Sequence, residues 1–133
     1  MLMTILYADD DADDCELLTE ALMHIDPSIS CILVNDGREA LTVLQQSEKL
    51  PDTIFLDVNM PVMTGKQCLI EIKNNPRLRQ IPVIMYSTST NAEEKTELRK
   101  LGAFDFIHKA NSFQDLRRSI TTVIRKVATG ASH

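Results

Sequence analysis

The chain has no tryptophan and only four glycines and three cysteines among 133 residues. So small a glycine supply excludes collagen-like and Gly/Ser-linker architectures. The cysteines, Cys15, Cys31 and Cys68, are odd in number and nowhere spaced C-x-x-C, so neither a disulfide framework nor a zinc site is implied. Each sits among apolar neighbours and reads as a buried, reduced thiol. No apolar run approaches the roughly 18 residues of a membrane span, because even residues 1–8 end against acids. The start also lacks the basic n-region, the apolar h-region and the small-residue cleavage site of a secretory signal. We therefore expect a cytoplasmic protein without membrane insertion. Basic residues are outnumbered, 14 Lys and Arg against 19 Asp and Glu for a formal net charge of −5, and they form no dense run. Direct nucleic-acid binding is not expected. His24, His108 and His133 are too dispersed for a metal cluster.

What is present is an ordinary globular composition, 44% hydrophobic and 25% charged, at a length that fits one domain. Short apolar runs at 5–8, 31–34, 53–56, 83–86 and 106–108 read as strands. Between them lie helical patterns. Leu17, Leu18, Ala21, Leu22 and Ile25 mark one face, with Pro27 as the stop. Ala40, Leu41 and Leu44 follow the Asn35-Asp36-Gly37 turn, and Cys68, Leu69 and Ile72 follow the 61–65 loop. Residues 92–101 have a thin apolar stripe that closes at Gly102, a natural helix-terminating glycine. Leu116, Ile120, Val123, Ile124 and Val127 make a well-formed amphipathic helix. Five βα units with continuous apolar strands predict an α/β domain, a parallel sheet covered by helices on both faces. With no repeat or linker, we expect one domain over 1–129 and a tail over 130–133.

In such sheets ligands bind beyond the carboxyl ends of the strands. Asp9, Asp10, Asp11, Asp13 and Asp14 follow the first strand, and Asp57 ends the third. Asp11, Asp13 and Asp14 read as a solvated helix start favoured by the dipole. If the first and third strands are neighbours, Asp9, Asp10 and Asp57 converge. Two carboxylates about 4 Å apart repel by about 4 kcal/mol at an effective dielectric of 20. Mg²⁺ is the economical compensation, since it takes carboxylate oxygens and bridges to phosphoryl groups. Asp57 could then act as a nucleophile toward phosphorus. Ser87 after the fourth strand offers a hydroxyl, and Lys109 after the fifth an ammonium, to a charge-rich transition state.

Four segments carry a family resemblance: Ile5-Leu6-Tyr7-Ala8-Asp9-Asp10-Asp11, Phe55-Leu56-Asp57-Val58-Asn59-Met60-Pro61-Val62-Met63-Thr64-Gly65, Pro82-Val83-Ile84-Met85-Tyr86-Ser87 and Gly102-Ala103-Phe104-Asp105-Phe106-Ile107-His108-Lys109. In that order they resemble the receiver domain of bacterial two-component response regulators, over about 5–127. The resemblance implies a flavodoxin-like (βα)5 fold with strand order 2-1-3-4-5. It also implies Asp57 as phosphoacceptor, with Asp9, Asp10, Asp57 and the Asn59 carbonyl around Mg²⁺. Ser87 is similar to the switch hydroxyl, Lys109 to the phosphoryl-holding lysine and Phe106 to the switch aromatic. Asn59 and Ser89 fall where the family tunes hydrolysis. The implied partners are a sensor histidine kinase or a histidine phosphotransfer domain, and a downstream protein bound through the face of the fourth helix, fifth strand and fifth helix. A homodimer through that face is also admitted. The implied protein is a signalling phosphoacceptor rather than an enzyme, acting as a stand-alone domain.

One departure stands out. Ala110 follows Lys109 where the family usually has a cis-joined proline, and a cis bond before a non-proline costs about 2.5–4 kcal/mol. We expect the site to impose that bond; otherwise the chain is a receiver that does not phosphorylate. Three other chemistries fit less well. A haloacid-dehalogenase-type phosphatase needs Asp-x-Asp where this chain has Asp57-Val58-Asn59. A flavodoxin-type phosphate loop would not be acidic. An EF-hand would need glycine at Asp14.

Overall fold

A computed structural model describes residues 3–89, 91–109 and 112–130. Strands and helices alternate: β1 (Thr4–Ala8), α1 (Ala12–Ile25), β2 (Ser30–Val34), α2 (Gly37–Gln46), β3 (Thr53–Asp57), α3 (Gly65–Asn74), β4 (Val83–Ser87), α4 (Ala92–Lys100), β5 (Asp105–His108) and α5 (Phe113–Thr129). Every strand pairing is parallel, in the order β2-β1-β3-β4-β5. This is the flavodoxin-like arrangement that the resemblance implies, built on the parallel sheet that the apolar runs predict. Strands β3 and β4 run one residue beyond their apolar stretches and take in Asp57 and Ser87. Ladder hydrogen bonds do not stop where the side chains become polar.

Alternation along each strand sends side chains to two separate cores. Ile5, Tyr7, Phe55, Ile84, Tyr86 and Ile107 pack against Leu18, Leu22, Leu116, Ile120 and Val123 of α1 and α5. Leu6, Ala8, Ile54, Leu56, Val83 and Met85 pack against Leu41, Leu44, Leu69, Ile72 and Leu98 of α2, α3 and α4. Burying each large apolar side chain is worth about 1.5–3 kcal/mol. Coverage fails at the β2 edge, where Ile32 and Leu33 are 38% and 49% exposed despite lying in an apolar run. Of the cysteines only Cys68 is fully buried, and Cys15 and Cys31 are half-buried. This corrects the expectation of three buried thiols. Burial still pushes Cys15 and Cys31 up to about 11 and Cys68 to about 12, so all three are poor nucleophiles.

Helix starts are capped by side chains that follow the strand ends. Asp11, Asp36, Asn91 and Ser112 accept from backbone N–H groups of their first turns, and Thr64 with Gln67 forms a reciprocal capping box. Helix α4 buries only Leu98 among the described residues, as its thin stripe predicts, and closes on Gly102 at φ +111°. The β3–α3 loop holds a local cost. Val62 lies at φ +67° and is 77% exposed, with the Met63 N–H donating across it to the Pro61 carbonyl at 2.6 Å. A β-branched residue there is strained by about 1–3 kcal/mol. Val62→Gly is expected to raise stability by about 1 kcal/mol, after subtracting glycine's greater unfolded-state entropy. Urea unfolding checks this, and a destabilised variant would show that the Val62 side chain contributes contacts.

Candidate functional site

The strand order reverses between β1 and β3, which opens a crevice at their carboxyl ends. Backbone bonds continue past the strands and fix the residues there. The Asp9 N–H donates to the Val34 carbonyl at 3.1 Å, that of Val58 to Tyr86 at 3.0 Å and that of Lys109 to Ser87 at 2.7 Å. Asp9, Asp10 and Asp57 each bring a carboxylate oxygen within 4.8 Å of the others. Asp9 and Asp57 are 1% and 4% exposed, whereas Asp10 faces solvent.

Lys109 is the local counter-charge. Its Nζ lies 2.8 Å from Asp14 Oδ2, 3.1 Å from Asp57 Oδ1 and 3.5 Å from Asp9 Oδ2. Burial works against the ammonium, but Asp14 and Asp57 outweigh it and hold Lys109 above its ordinary range. Burial and then Asp9 push the Asp57 carboxyl up to about 6, with Lys109 opposing. Four carboxylates, those of Asp9, Asp10, Asp14 and Asp57, face one ammonium, so formally three negative charges stay uncompensated. Hard oxygen donors in that excess fit a small divalent cation.

Beneath the acids, the buried Tyr7 hydroxyl donates to Asp9 Oδ2 at 2.6 Å, while the Asp11 N–H donates to Asp9 Oδ1 at 3.0 Å. Burial and the Asp9 bond keep this phenol far above its ordinary range, so it stays a donor. Tyr86 meets Tyr7 edge-on, with ring centroids 6.0 Å apart, and its own ring lies 5.0 Å from Lys109 Nζ.

The structure brings Asp9, Asp10, Asp57 and Lys109 together as expected, and places Asn59 beside them, its N–H pointing at Asp57 Oδ1 from 3.4 Å. Ser87 Oγ accepts from the Ser89 N–H at 3.0 Å, and no hydrogen bond joins it to Asp57 among the described residues. Phe106 is half-buried under the Arg99 guanidinium, 5.0 Å from the ring centre. A cavity of about 10 Å³ is lined by Val58, Met85, Ser87, Leu98 and Phe106 among others. The Lys109–Ala110 peptide, expected to be cis, lies outside the described residues.

Sequence reasoning missed two members. Asp14, read as a solvated helix-start acid, instead bonds Lys109 across 95 positions. Tyr7, read as an apolar strand residue, carries the buried hydroxyl on Asp9. The even spacing of Tyr7 and Asp9, which puts both on one strand face, was the available signal for the second.

A family model of the response regulator receiver domain matches residues 5–121. The chain belongs to the response regulator receiver family. This receiver domain is 31% identical over 121 residues to response regulator Rcp1 of Synechocystis sp., covering 87% of this chain and 82% of that protein. It superimposes with a TM-score of 0.88 on the phosphorylated cyanobacterial phytochrome response regulator RcpA, at 29% identity, covering 99% and 98% of the two chains. The Mn²⁺-bound form of Rcp1 gives a TM-score of 0.80 at 30% identity, with 93% and 92% covered. No helix of the described residues is long and apolar enough to cross a membrane.

Proposed function

We propose that this receiver domain takes a phosphoryl group on Asp57 from a sensor histidine kinase or histidine phosphotransfer domain in the cytoplasm. It then reports the change to a downstream protein through the face of α4, β5 and α5, or passes the phosphoryl group on. The observation that supports this best is Asp57 Oδ1, buried at a strand end, 3.1 Å from the Lys109 ammonium and beside Asp9 and Asp10.

Asp9, Asp10 and Asp57, with the Asn59 carbonyl, would hold Mg²⁺, which when bound offsets the acids' charge and steadies an incoming phosphoryl group. The chain's own part begins at Asp57. Its carboxylate oxygen forms the bond to phosphorus while the bond from phosphorus to the donor histidine nitrogen breaks, and the electron pair leaves with the imidazole. Lys109 neutralises the phosphoryl oxygens, and Ser87 turns from the Ser89 N–H to donate to one of them. The space Ser87 leaves adjoins the 10 Å³ cavity, and Phe106 moves inward to fill it. Helix α4, whose one buried side chain among the described residues is Leu98, follows at small cost.

Incubation with acetyl phosphate and Mg²⁺ should add the mass of one phosphoryl group to the intact chain, and chelation of the metal should prevent it. A chain that never gains that mass would overturn the reading. Ser87→Ala is expected to lower the equilibrium constant for switching about tenfold at full phosphorylation, the worth of one hydrogen bond to a charged group. Amide shifts over residues 92–108 measure it, and shifts equal to those of the parent chain would sever Ser87 from the switch.

A further inference from the structure

We propose that Asp14 competes with the phosphoryl group for the Lys109 ammonium and thereby restrains loading of the site. The proposal rests on Asp57 being the phosphoacceptor. An ammonium has three protons to donate, and three carboxylates surround this one. The Asp57 oxygen belongs to the reacting group itself. Asp9 Oδ2, at 3.5 Å, is the farthest and already accepts from the Tyr7 hydroxyl at 2.6 Å. The bond from Lys109 Nζ to Asp14 Oδ2, at 2.8 Å, is the shortest of the three. A phosphoryl oxygen that is to accept a hydrogen bond from Nζ competes with Asp14 for the charge and orientation of the ammonium.

Asp14 is placed to hold on. It sits in the first turn of α1, where its N–H is pinned to the Asp11 carboxylate at 3.0 Å. Helix α1 is itself packed against the sheet through Leu18 and Leu22. Asp14 stands outside the trio whose oxygens crowd within 4.8 Å, so its removal leaves those three acids in place. Its side chain is 28% exposed, so part of the ion pair is screened and its strength is correspondingly modest.

The test uses the full chain as parent, Asp14→Asn and Asp14→Glu, each followed by intact mass during loading from acetyl phosphate and, separately, from phosphoramidate in Mg²⁺. In the first donor the phosphorus–oxygen bond breaks and acetate leaves with the pair; in the second the phosphorus–nitrogen bond breaks and ammonia leaves. Asp14→Asn is expected to load about three- to fivefold faster from both donors, and Asp14→Glu, which keeps the charge, to return toward the parent rate. Melting curves establish that each variant is folded. Loading of the folded Asp14→Asn chain at or below the parent rate overturns the proposal, as does an Asp14→Glu chain as fast as Asp14→Asn. A gain confined to the more highly charged acetyl phosphate also overturns it, because bare repulsion of the donor would then suffice. A parent chain that loads from neither donor instead defeats the phosphoacceptor reading itself.

Discussion

Asp57→Asn is expected to abolish phosphoryl uptake and, in metal-free buffer, to make the folded chain more stable. The uptake is lost because the variant lacks the proposed phosphoacceptor oxygen, and the other buried carboxylate oxygen facing Lys109 among the described residues, Asp9 Oδ2, is farther away at 3.5 Å and already accepts from the Tyr7 hydroxyl. The stability gain follows from the Asp57 carboxyl being pushed from 3.8 to about 6 by burial and by Asp9. A folded-state value above the unfolded one means that the native chain holds this proton more tightly than the unfolded chain does. The Asp57 contribution to stability is therefore complete below about pH 4 and is lost as the pH rises through 6. Two pH units correspond to at most about 3 kcal/mol. Asparagine never ionises, so the variant's advantage should grow from near zero at pH 4 to about 2 kcal/mol above pH 7. Urea melts across that range measure it, and Mg²⁺ should narrow the gap by binding the parent chain. A gap independent of pH would show that ionisation of Asp57 costs the fold nothing.

Gly65→Ala should be the most damaging single methyl group in the loop beyond Asp57. A Cβ at Gly65 would lie 2.9 Å from Val58 Cα and would overlap the Asp57 carbonyl oxygen. Both obstacles are backbone, and the Gly65 N–H is tied to the Val58 carbonyl at 3.0 Å. Relief requires the start of α3 to move away from the end of β3. The expected cost is about 3 kcal/mol, a fall in Tm of roughly 10 °C, together with slower phosphoryl uptake, because the displaced backbone is that of Asp57. Calorimetry and the mass assay together check this, and a variant within about 0.5 kcal/mol of the parent would show that the loop adapts freely.

The strands were legible because buried parallel strands leave continuous apolar runs, and the acids were legible because topology alone explains charge beyond such runs. Asp9, Asp10, Asp57 and Lys109 meet where strand order says they must. Asp14 was not legible. An acid in the first helical turn already has a sufficient local reason to be there, so its pairing with Lys109, which depends on how α1 lies against β5, left no trace in spacing. Tyr7 was hidden in the same manner, since an aromatic residue in a strand satisfies the apolar pattern whatever its hydroxyl does. Exposure of Ile32 and Leu33 was equally invisible, because an edge is a property of the whole sheet. The half-burial of Cys15 and Cys31 reflects the outer positions of α1 and β2 rather than their neighbours in the chain.

The separation of the interior into two cores bears on how such a molecule can diversify. Tyr7 and Tyr86 point toward α1 and α5, while Leu98 of α4 and Phe106 pack on the opposite side of the sheet. Changes well apart with no shared neighbours combine nearly independently. A lineage could thus rework the underside of the acid pocket, which shares its layer with α5, while revising the seat of α4 through the other layer.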